Sequence, residues 1–125
     1  MIHHVSLELD EHDVAAEIGF WQLLGFTEMR PPDALAERAR WVERGDVQLH
    51  LVYADSPSIP RAGHIAVILD DYDAVLARLR AARHDAAPRA EHFGSPRTQV
   101  RSPAGHLVEL MAPPPDPRQM ENPDG

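Results

Sequence analysis

Four side chains that can bind a transition metal occur as two similarly placed pairs in this chain. They are His4 and His50 in the first half, and His64 and Glu109 in the second. The residues from Gly63 onward repeat the pattern that begins at His3, and the residues around Glu109 repeat those around His50. A repeat with a period of about sixty residues indicates a duplicated structural unit. Duplication relates equivalent strands by a pseudo-twofold axis, so we expect the four side chains to converge on one ion.

The donor types limit the chemistry of such a site. The sequence contains no cysteine, which excludes thiolate ligands and leaves histidine and carboxylate donors. These donors suit Zn, Ni, Co, Mn or Fe(II) and do not select one of them. Four protein ligands on an octahedral ion leave two adjacent positions, which two neighbouring oxygens of an α-hydroxycarbonyl, an enediol or a catechol can fill. The ion then stabilises negative charge on those oxygens as a Lewis acid.

Length and composition exclude several classes of protein. The 125 residues, 43% of them hydrophobic, predict one domain with a single core. The net charge of −8 and the scattering of the twelve cationic residues, all arginine, argue against nucleic acid as a partner. No apolar run approaches the roughly 20 residues of a membrane span, and Met1 directly precedes a strand-like segment. We therefore expect a cytoplasmic protein whose partner is a small-molecule substrate.

Hydrophobic periodicity predicts the elements that position the four side chains. The pattern is α+β: two tandem βαβββ modules, residues 1–54 and 62–112, joined by a linker at 55–61 and folded as bent mixed sheets, or half-barrels, around a metal-binding cleft. Predicted strands span 2–9, 26–29, 40–42, 47–53, 64–69, 86–90, 98–101 and 106–111, and predicted helices span 13–24 and 72–82. The proline-rich residues 113–125 are expected to be a disordered tail.

Strand alternation predicts which side chains share a face. Successive residues of a strand point to opposite faces, so His4 lies with Ser6 and Glu8, whereas His3 lies on the other face. The same alternation places His50 and Glu109 on the faces away from the helices. A carboxylate among apolar side chains needs a partner, and a divalent cation would supply one for Glu109.

The chain contains further histidines besides His4, His50 and His64. His3 is the alternative ligand to His4. The remaining ones lie in turns, loops or at a helix edge and are expected to be exposed polar residues: His12, His84, His92 and His106. The Arg44-Gly45-Asp46 triplet is interpreted as a hairpin turn.

Four segments resemble the vicinal oxygen chelate superfamily. They are Ile2-His3-His4-Val5-Ser6-Leu7, Phe20-Trp21-Gln22-Leu23-Leu24-Gly25-Phe26, Gly63-His64-Ile65-Ala66-Val67 and Pro103-Ala104-Gly105-His106-Leu107-Val108-Glu109-Leu110. This superfamily includes glyoxalase I, type I extradiol dioxygenases, fosfomycin-resistance proteins, methylmalonyl-CoA epimerase and bleomycin-binding proteins. The resemblance covers residues 1–112, is specific for the fold, and leaves the reaction open.

The resemblance implies roles for individual residues. His4, His64 and Glu109 match ligand positions, and Glu109 is also the implied catalytic base. His50 stands where glyoxalase I has glutamate and the epimerase has glutamine, so mechanisms that need two carboxylates are in doubt. Glu8 stands where glyoxalase I carries an arginine that faces a glutathione carboxylate, and its charge would oppose glutathione.

The sequence thus favours a divalent-metal-dependent, glyoxalase-like isomerase or lyase acting on a small substrate chelated through adjacent oxygens. The alternatives are an Fe(II) extradiol dioxygenase, and a metal-free binding or resistance protein that uses aromatic side chains. The expected substrate-binding residues are Ser6, Glu8, Gln48 and Arg97, with Thr98 as a further candidate. The resemblance also implies a homodimer, and whether one site lies within a chain or across its interface stays open.

Overall fold

The computed structural model describes residues 1–92 and 94–113. Contacts divide the chain into two compact units. The first contains Met1–Arg61 together with Ser102–His106, and the second contains Ala62–Arg101 and the chain from Leu107. The predicted tail at 113–125 lies outside the described residues, apart from Pro113. None of the described helices has the length and apolar character needed to span a membrane.

The first unit is one βαβββ module. Its elements are β1 (His4–Leu9), α1 (Val14–Leu23), β2 (Thr27–Met29), β3 (Ala39–Arg44) and β4 (Val47–Tyr53). The sheet order is β1-β4-β3-β2, in which β1 pairs parallel with β4 and the other two pairs are antiparallel. The parallel pair brings the first and last strands of the module side by side in an open sheet.

Local sequence signals explain where these elements begin and end. Asp10 accepts a hydrogen bond from the backbone N–H of His12 at 3.1 Å and so caps the short 3₁₀ turn, Glu11–Asp13, that leads into α1. Beyond the end of α1, Gly25 has a φ of +91°, which a residue without a Cβ adopts at little cost. Gly45 has a φ of +58° in the tight turn between β3 and β4, so the Arg44-Gly45-Asp46 segment is a hairpin turn, as predicted.

The second unit repeats this order. Its elements are β5 (His64–Ile68), α2 (Tyr72–Ala81), β6 (Ala87–Arg89), β7 (Arg97–Arg101) and β8 (Leu107–Met111). The sheet order is β5-β8-β7-β6, again with a parallel pair formed by the first and last strands. The predicted α+β pattern of two βαβββ modules is confirmed, and most predicted boundaries differ from the observed ones by one or two residues.

Each sheet has one buried face. In the first sheet, Val42, Leu49 and Leu51 are almost fully buried, and α1 contacts β2 and β3. In the second sheet, the Tyr72 hydroxyl of α2 hydrogen-bonds the Thr98 hydroxyl, which places α2 on the face of Thr98. Thr98, a further candidate for substrate binding, is therefore buried against α2, on the face opposite to Arg97.

The opposite faces carry the candidate ligands and are called the first and second candidate faces below. The first is formed by Thr27, Met29, Ala39, Trp41, Glu43, His4, Ser6, Glu8, Gln48, His50 and Val52. The second is formed by His64, Ala66, Ile68, Ala87, Arg89, Arg97, Gln99, Arg101, Leu107, Glu109 and Met111. Strand alternation had predicted this separation of apolar and ligand-bearing faces.

A buried carboxylate holds the turn between β7 and β8 within the first unit. Glu17 on α1 is fully buried and accepts hydrogen bonds from the Trp21 indole N–H at 2.9 Å and the Ala104 backbone N–H at 2.8 Å. In the same turn, the His106 imidazole Nε2–H donates to the Glu8 backbone carbonyl at 2.7 Å, and His106 is buried. The prediction that His106 is exposed is wrong, because its ring has an internal acceptor that the sequence pattern does not reveal.

We predict that Glu17→Leu lowers the free energy of unfolding by about 2 to 4 kcal/mol, because it leaves the buried Trp21 indole N–H and the half-buried Ala104 N–H without an acceptor. Glu17→Gln keeps one acceptor oxygen and should have an intermediate effect. The measurement is urea unfolding, with Glu37→Leu at an exposed position as the matched control. Equal stability of the Glu17→Leu variant and the wild type would show that the carboxylate does not hold this turn.

Candidate functional site

The two candidate ligand pairs occupy the same register in the two sheets. Ser6, two residues after His4, pairs with His50 on the neighbouring parallel strand. Ala66, two residues after His64, pairs with Glu109 in the same way. Each pair is therefore a diagonal pair on adjacent strands of one face, and such neighbours are within reach of long or aromatic side chains. The equivalence inferred from the sequence repeat is confirmed at the level of strand register.

In the first unit, three rings form a stack that we call the ring column: Trp41, His50 and His4. The Trp41 and His50 rings are nearly parallel, with centroids 3.7 Å apart. The His50 and His4 rings follow with centroids 4.1 Å apart and an interplanar angle of 11°. The His3 ring meets His4 edge-on, and their Nδ1 atoms lie 2.9 Å apart. His4 and His50 are thus in contact, and the alternative ligand His3 lies beside them.

His50 is held in the neutral form that binds metals. Burial lowers the pKa of its imidazole, and the nearby His4 and His3 lower it further. Its Nε2 lies 2.9 Å from the Gln48 Oε1, an acceptor, so Nε2 carries the hydrogen and the lone pair is on Nδ1. Gln48, predicted to contact substrate, hydrogen-bonds this ring.

The two other predicted substrate-binding residues of β1 have side chains at the surface. Ser6 and Glu8 are exposed on the first candidate face. The Glu8 Oε1 accepts a hydrogen bond from the Ser58 backbone N–H at 3.3 Å. Glu8 thus puts a negative charge on the same face as the ring column.

In the second unit, Glu109 is paired with Arg97. The Arg97 Nη1 donates to the Glu109 Oε1, and the two side chains are 12% and 7% exposed. The Arg97 Nε also donates to the Ala90 carbonyl, which anchors the guanidinium. Arg97 therefore supplies the positive charge that was expected from a divalent cation beside Glu109. The second carboxylate oxygen of Glu109 has further acceptor capacity.

The tautomer of His64 is fixed by a backbone carbonyl. Its Nδ1 lies 2.9 Å from the Ala62 carbonyl oxygen, which accepts only. Nδ1 must therefore carry the hydrogen, and the neutral ring keeps its lone pair on Nε2. Metal-binding histidines commonly donate one ring N–H to a carbonyl in this way, because the bond fixes the tautomer and the ring orientation.

The donor chemistry of these histidine and carboxylate side chains fits a divalent metal. Across residues 1–92 and 94–113, no three His, Asp or Glu side chains are gathered as a metal-binding group. The lone pair of an imidazole nitrogen lies in the plane of its ring. Because the His4 and His50 rings are stacked, their lone pairs lie in nearly parallel planes and do not point at one common position. Coordination of one ion by both rings requires one of them to turn.

Two partners in this site were missed by the sequence argument. Trp41 stacks on His50, and Arg97, which is predicted to bind substrate, hydrogen-bonds Glu109. Both contacts follow from the hairpin registers. One register places Trp41 opposite His50, and the other places Gln99, which is two residues from Arg97, opposite Glu109. These registers follow from turn lengths that the sequence indicates only within a residue or two.

The titration of His50 tests the environment of the ring column. In metal-free protein we expect its NMR midpoint below 6.5, whereas the midpoint of His12 should lie above 6.5 because the Asp10 hydrogen bond raises its pKa. The pKa of His50 is lower in the folded state than in the unfolded state, so the unfolded state takes up the proton first as the pH falls. The contribution of neutral His50 to stability is therefore complete above pH 6.5 and is lost as the pH falls toward the folded-state pKa. His4→Gln should move the His50 midpoint upward, and a midpoint at or above 6.5 in the wild type would contradict this description.

We predict that Arg97→Leu destabilises the metal-free protein by about 3 kcal/mol, because it leaves the buried Glu109 carboxylate without its partner. The double variant Arg97→Leu/Glu109→Gln should recover at least half of the loss, as measured by urea unfolding. Arg30→Leu, which breaks an exposed ion pair with Asp33, serves as the control and should cost less than about 1 kcal/mol. A loss no larger than that of Arg30→Leu would mean that the buried pair is unimportant for stability.

No family model and no curated protein matches this chain. Solved structures do match over nearly its whole length. A glyoxalase family protein from Bacillus anthracis superimposes with a TM-score of 0.80 and 19% identity, covering 90% of this chain and 93% of that one. A glyoxalase/dioxygenase from Nostoc punctiforme superimposes with a TM-score of 0.75 and 18% identity, covering 93% of this chain and 92% of that one.

A lactoylglutathione lyase from Agrobacterium tumefaciens gives a TM-score of 0.68 and 20% identity, with 90% of this chain and 92% of that chain covered. Identities at this level describe similarity of fold, and the same fold supports different chemistries. The chain has the fold of these glyoxalase and dioxygenase proteins, as its resemblance to the vicinal oxygen chelate superfamily predicted.

Proposed function

We propose that the chain is a divalent-metal-dependent, glyoxalase-like enzyme that isomerises or cleaves a small substrate chelated through adjacent oxygens. The metal ligands are His4, His50, His64 and Glu109. The observation that supports this proposal best is the repeated register, since a donor pair occurs at the same two positions of both candidate faces. Random surface histidines would not be expected at matching positions in two diverged copies of one module.

The state of the individual donors supports the same proposal. Burial lowers the pKa of His50 and so favours the neutral imidazole, and the Ala62 hydrogen bond leaves the Nε2 of His64 as the donor atom. When bound, the metal supplies Lewis acidity at the two chelated oxygens. Three neutral imidazoles and one carboxylate preserve a net positive charge on a divalent ion, which favours binding of an anionic enediol or catechol oxygen.

Glu109 is the residue that moves the proton in this proposal. Among the four ligands it alone has a carboxylate, which can accept a proton from the carbon beside the chelated oxygens and return it to a neighbouring atom. Arg97 would hold the Oε1 of Glu109 and orient the carboxylate, so that its other oxygen, once it had left the ion, would accept the proton. Because His50 stands in place of a second carboxylate, Glu109 is the one base among the four ligands. We therefore propose a mechanism in which a single residue transfers the proton.

The metal proposal is tested by elemental analysis and calorimetric titration of chelator-stripped protein with Zn, Ni, Co, Mn and Fe(II). We expect about one ion per chain, with affinity reduced at least about hundredfold in Glu109→Ala and abolished in His64→Ala/Glu109→Ala, because each change removes a ligand. His92→Ala removes an exposed loop histidine and should leave the affinity unchanged. Light scattering on the same samples tests the proposed homodimer.

Unchanged metal affinity in the double variant would overturn the ligand assignment. Absence of binding for all five metals would overturn the enzyme proposal and favour the metal-free binding protein. If an ion binds, two assays separate the reactions. Isomerisation of hemithioacetals or α-hydroxycarbonyls indicates the proposed chemistry, whereas oxygen uptake with catechols by the Fe(II) form indicates a dioxygenase.

A further inference from the structure

The charge of the second candidate face differs from that of the rest of the chain. Its strands carry three arginines, Arg89, Arg97 and Arg101, and one acidic residue, Glu109. The whole chain has a net charge of −8. A face with excess positive charge on an acidic protein attracts anions locally while the rest of the surface repels them.

Comparison of the two candidate faces shows that this charge is specific to one copy of the module. By register, Arg97 corresponds to Ala39, and Arg101 corresponds to Glu43. The residues of the first candidate face include no arginine and two glutamates, Glu8 and Glu43, because Arg40 and Arg44 of β3 lie on the opposite face. The duplicated framework does not require arginine at these positions, so the fold alone does not account for them.

Two of the arginines lie directly opposite each other. Arg89 on β6 pairs with Arg97 on β7 in the antiparallel register, where side chains on one face have Cβ atoms about 5 Å apart. Like charges in such a pair destabilise a sheet unless an anion lies near both. Glu109 binds Arg97, whereas the Nε of Arg89 donates to the neutral Gln99 Oε1 at 3.0 Å. One positive charge of this pair is thus without a carboxylate among the described residues.

Both guanidinium groups are held in place before any anion arrives. The Ala90 carbonyl and Glu109 anchor Arg97, and Gln99 anchors Arg89 through its Nε. The bond to Gln99 leaves the terminal nitrogens of Arg89, which is exposed, to donate to a ligand. Guanidinium groups bind carboxylate and phosphate oxygens with paired hydrogen bonds, and anchoring reduces the entropy lost when they do so.

We propose that Arg89 and Arg97, with Arg101 at the outer end of the same face, bind an anionic group of the substrate, a carboxylate or a phosphate, beside Glu109. That this anion belongs to the substrate rests on the proposed function. The anion site itself does not rest on the proposed function, because its residues and their charges are independent of any metal. The arrangement thereby assigns a substrate class, small anionic molecules, and places the specificity-determining residues on β6 and β7.

The test is an NMR titration at constant ionic strength. The protein is first freed of metal with a chelator, and the chelator is then removed. Two probes are used, inorganic phosphate and the dicarboxylate malonate. We expect saturable shifts at the amides of β6 and β7, and a rise in dissociation constant of about tenfold in Arg89→Gln, since a charge-assisted hydrogen bond is lost. Arg101→Gln should raise it by a smaller factor, because Arg101 lies four residues from Arg97 along the strand, about 13 Å away.

Arg80→Gln is the matched control, since it removes the same charge from an exposed position on α2. Its dissociation constants should equal those of the wild type. Tighter binding of malonate than of phosphate assigns the site to a carboxylate, and the reverse order assigns it to a phosphate ester. Absence of saturable shifts with both probes, or an equal loss in Arg80→Gln and Arg89→Gln, overturns the proposal.

The two proposals fail separately. This titration contains no metal, so its failure leaves the metal ligands unaffected. Conversely, a protein that binds phosphate or malonate through Arg89 but takes up none of the five metals would retain the anion site and lose the proposed enzyme.

Discussion

The parallel pairing of the first and last strands of each module is the constraint on which the remaining structure depends. This pairing places β1 beside β4 and β5 beside β8, and it sets the register of both pairs. Because side chains alternate along a strand, a shift of one residue would exchange the buried and candidate faces. The buried side chains Val42, Leu49 and Leu51 on one face therefore determine that His50 lies on the other.

Burial of polar groups is the second theme of the molecule. His50, Glu17 and Glu109 are each buried, and each has a specific partner. His50 stacks between two rings and hydrogen-bonds Gln48, Glu17 accepts from an indole and a backbone N–H, and Glu109 is paired with arginine. Among the described residues, no buried side-chain nitrogen or oxygen is without a hydrogen-bond partner. Since unsatisfied buried polar groups are costly, these partners allow ionisable side chains to be kept inside the fold.

The two copies of the module have kept a common framework and diverged in chemistry. The first candidate face carries stacked rings and glutamates, whereas the second carries arginines and a single carboxylate. The framework tolerates this divergence because the candidate faces contribute little to the apolar packing, which is concentrated on the opposite faces. The first copy thus carries two of the candidate ligand histidines, whereas the second carries His64, Glu109 and the three arginines.

The helices and strands, the duplication and the face on which each candidate ligand lies can all be predicted from the sequence. Periodicity and glycine positions were sufficient for this, because alternation along a strand and the termination of helices are local properties. The tertiary structure decided which partner each polar group has. Trp41 reaches His50, Arg97 reaches Glu109, and the Glu8 carbonyl accepts from His106, 98 positions along the chain. These contacts join side chains across strands or across distant parts of the chain, so no local pattern encodes them, and only the folded register brings the groups together.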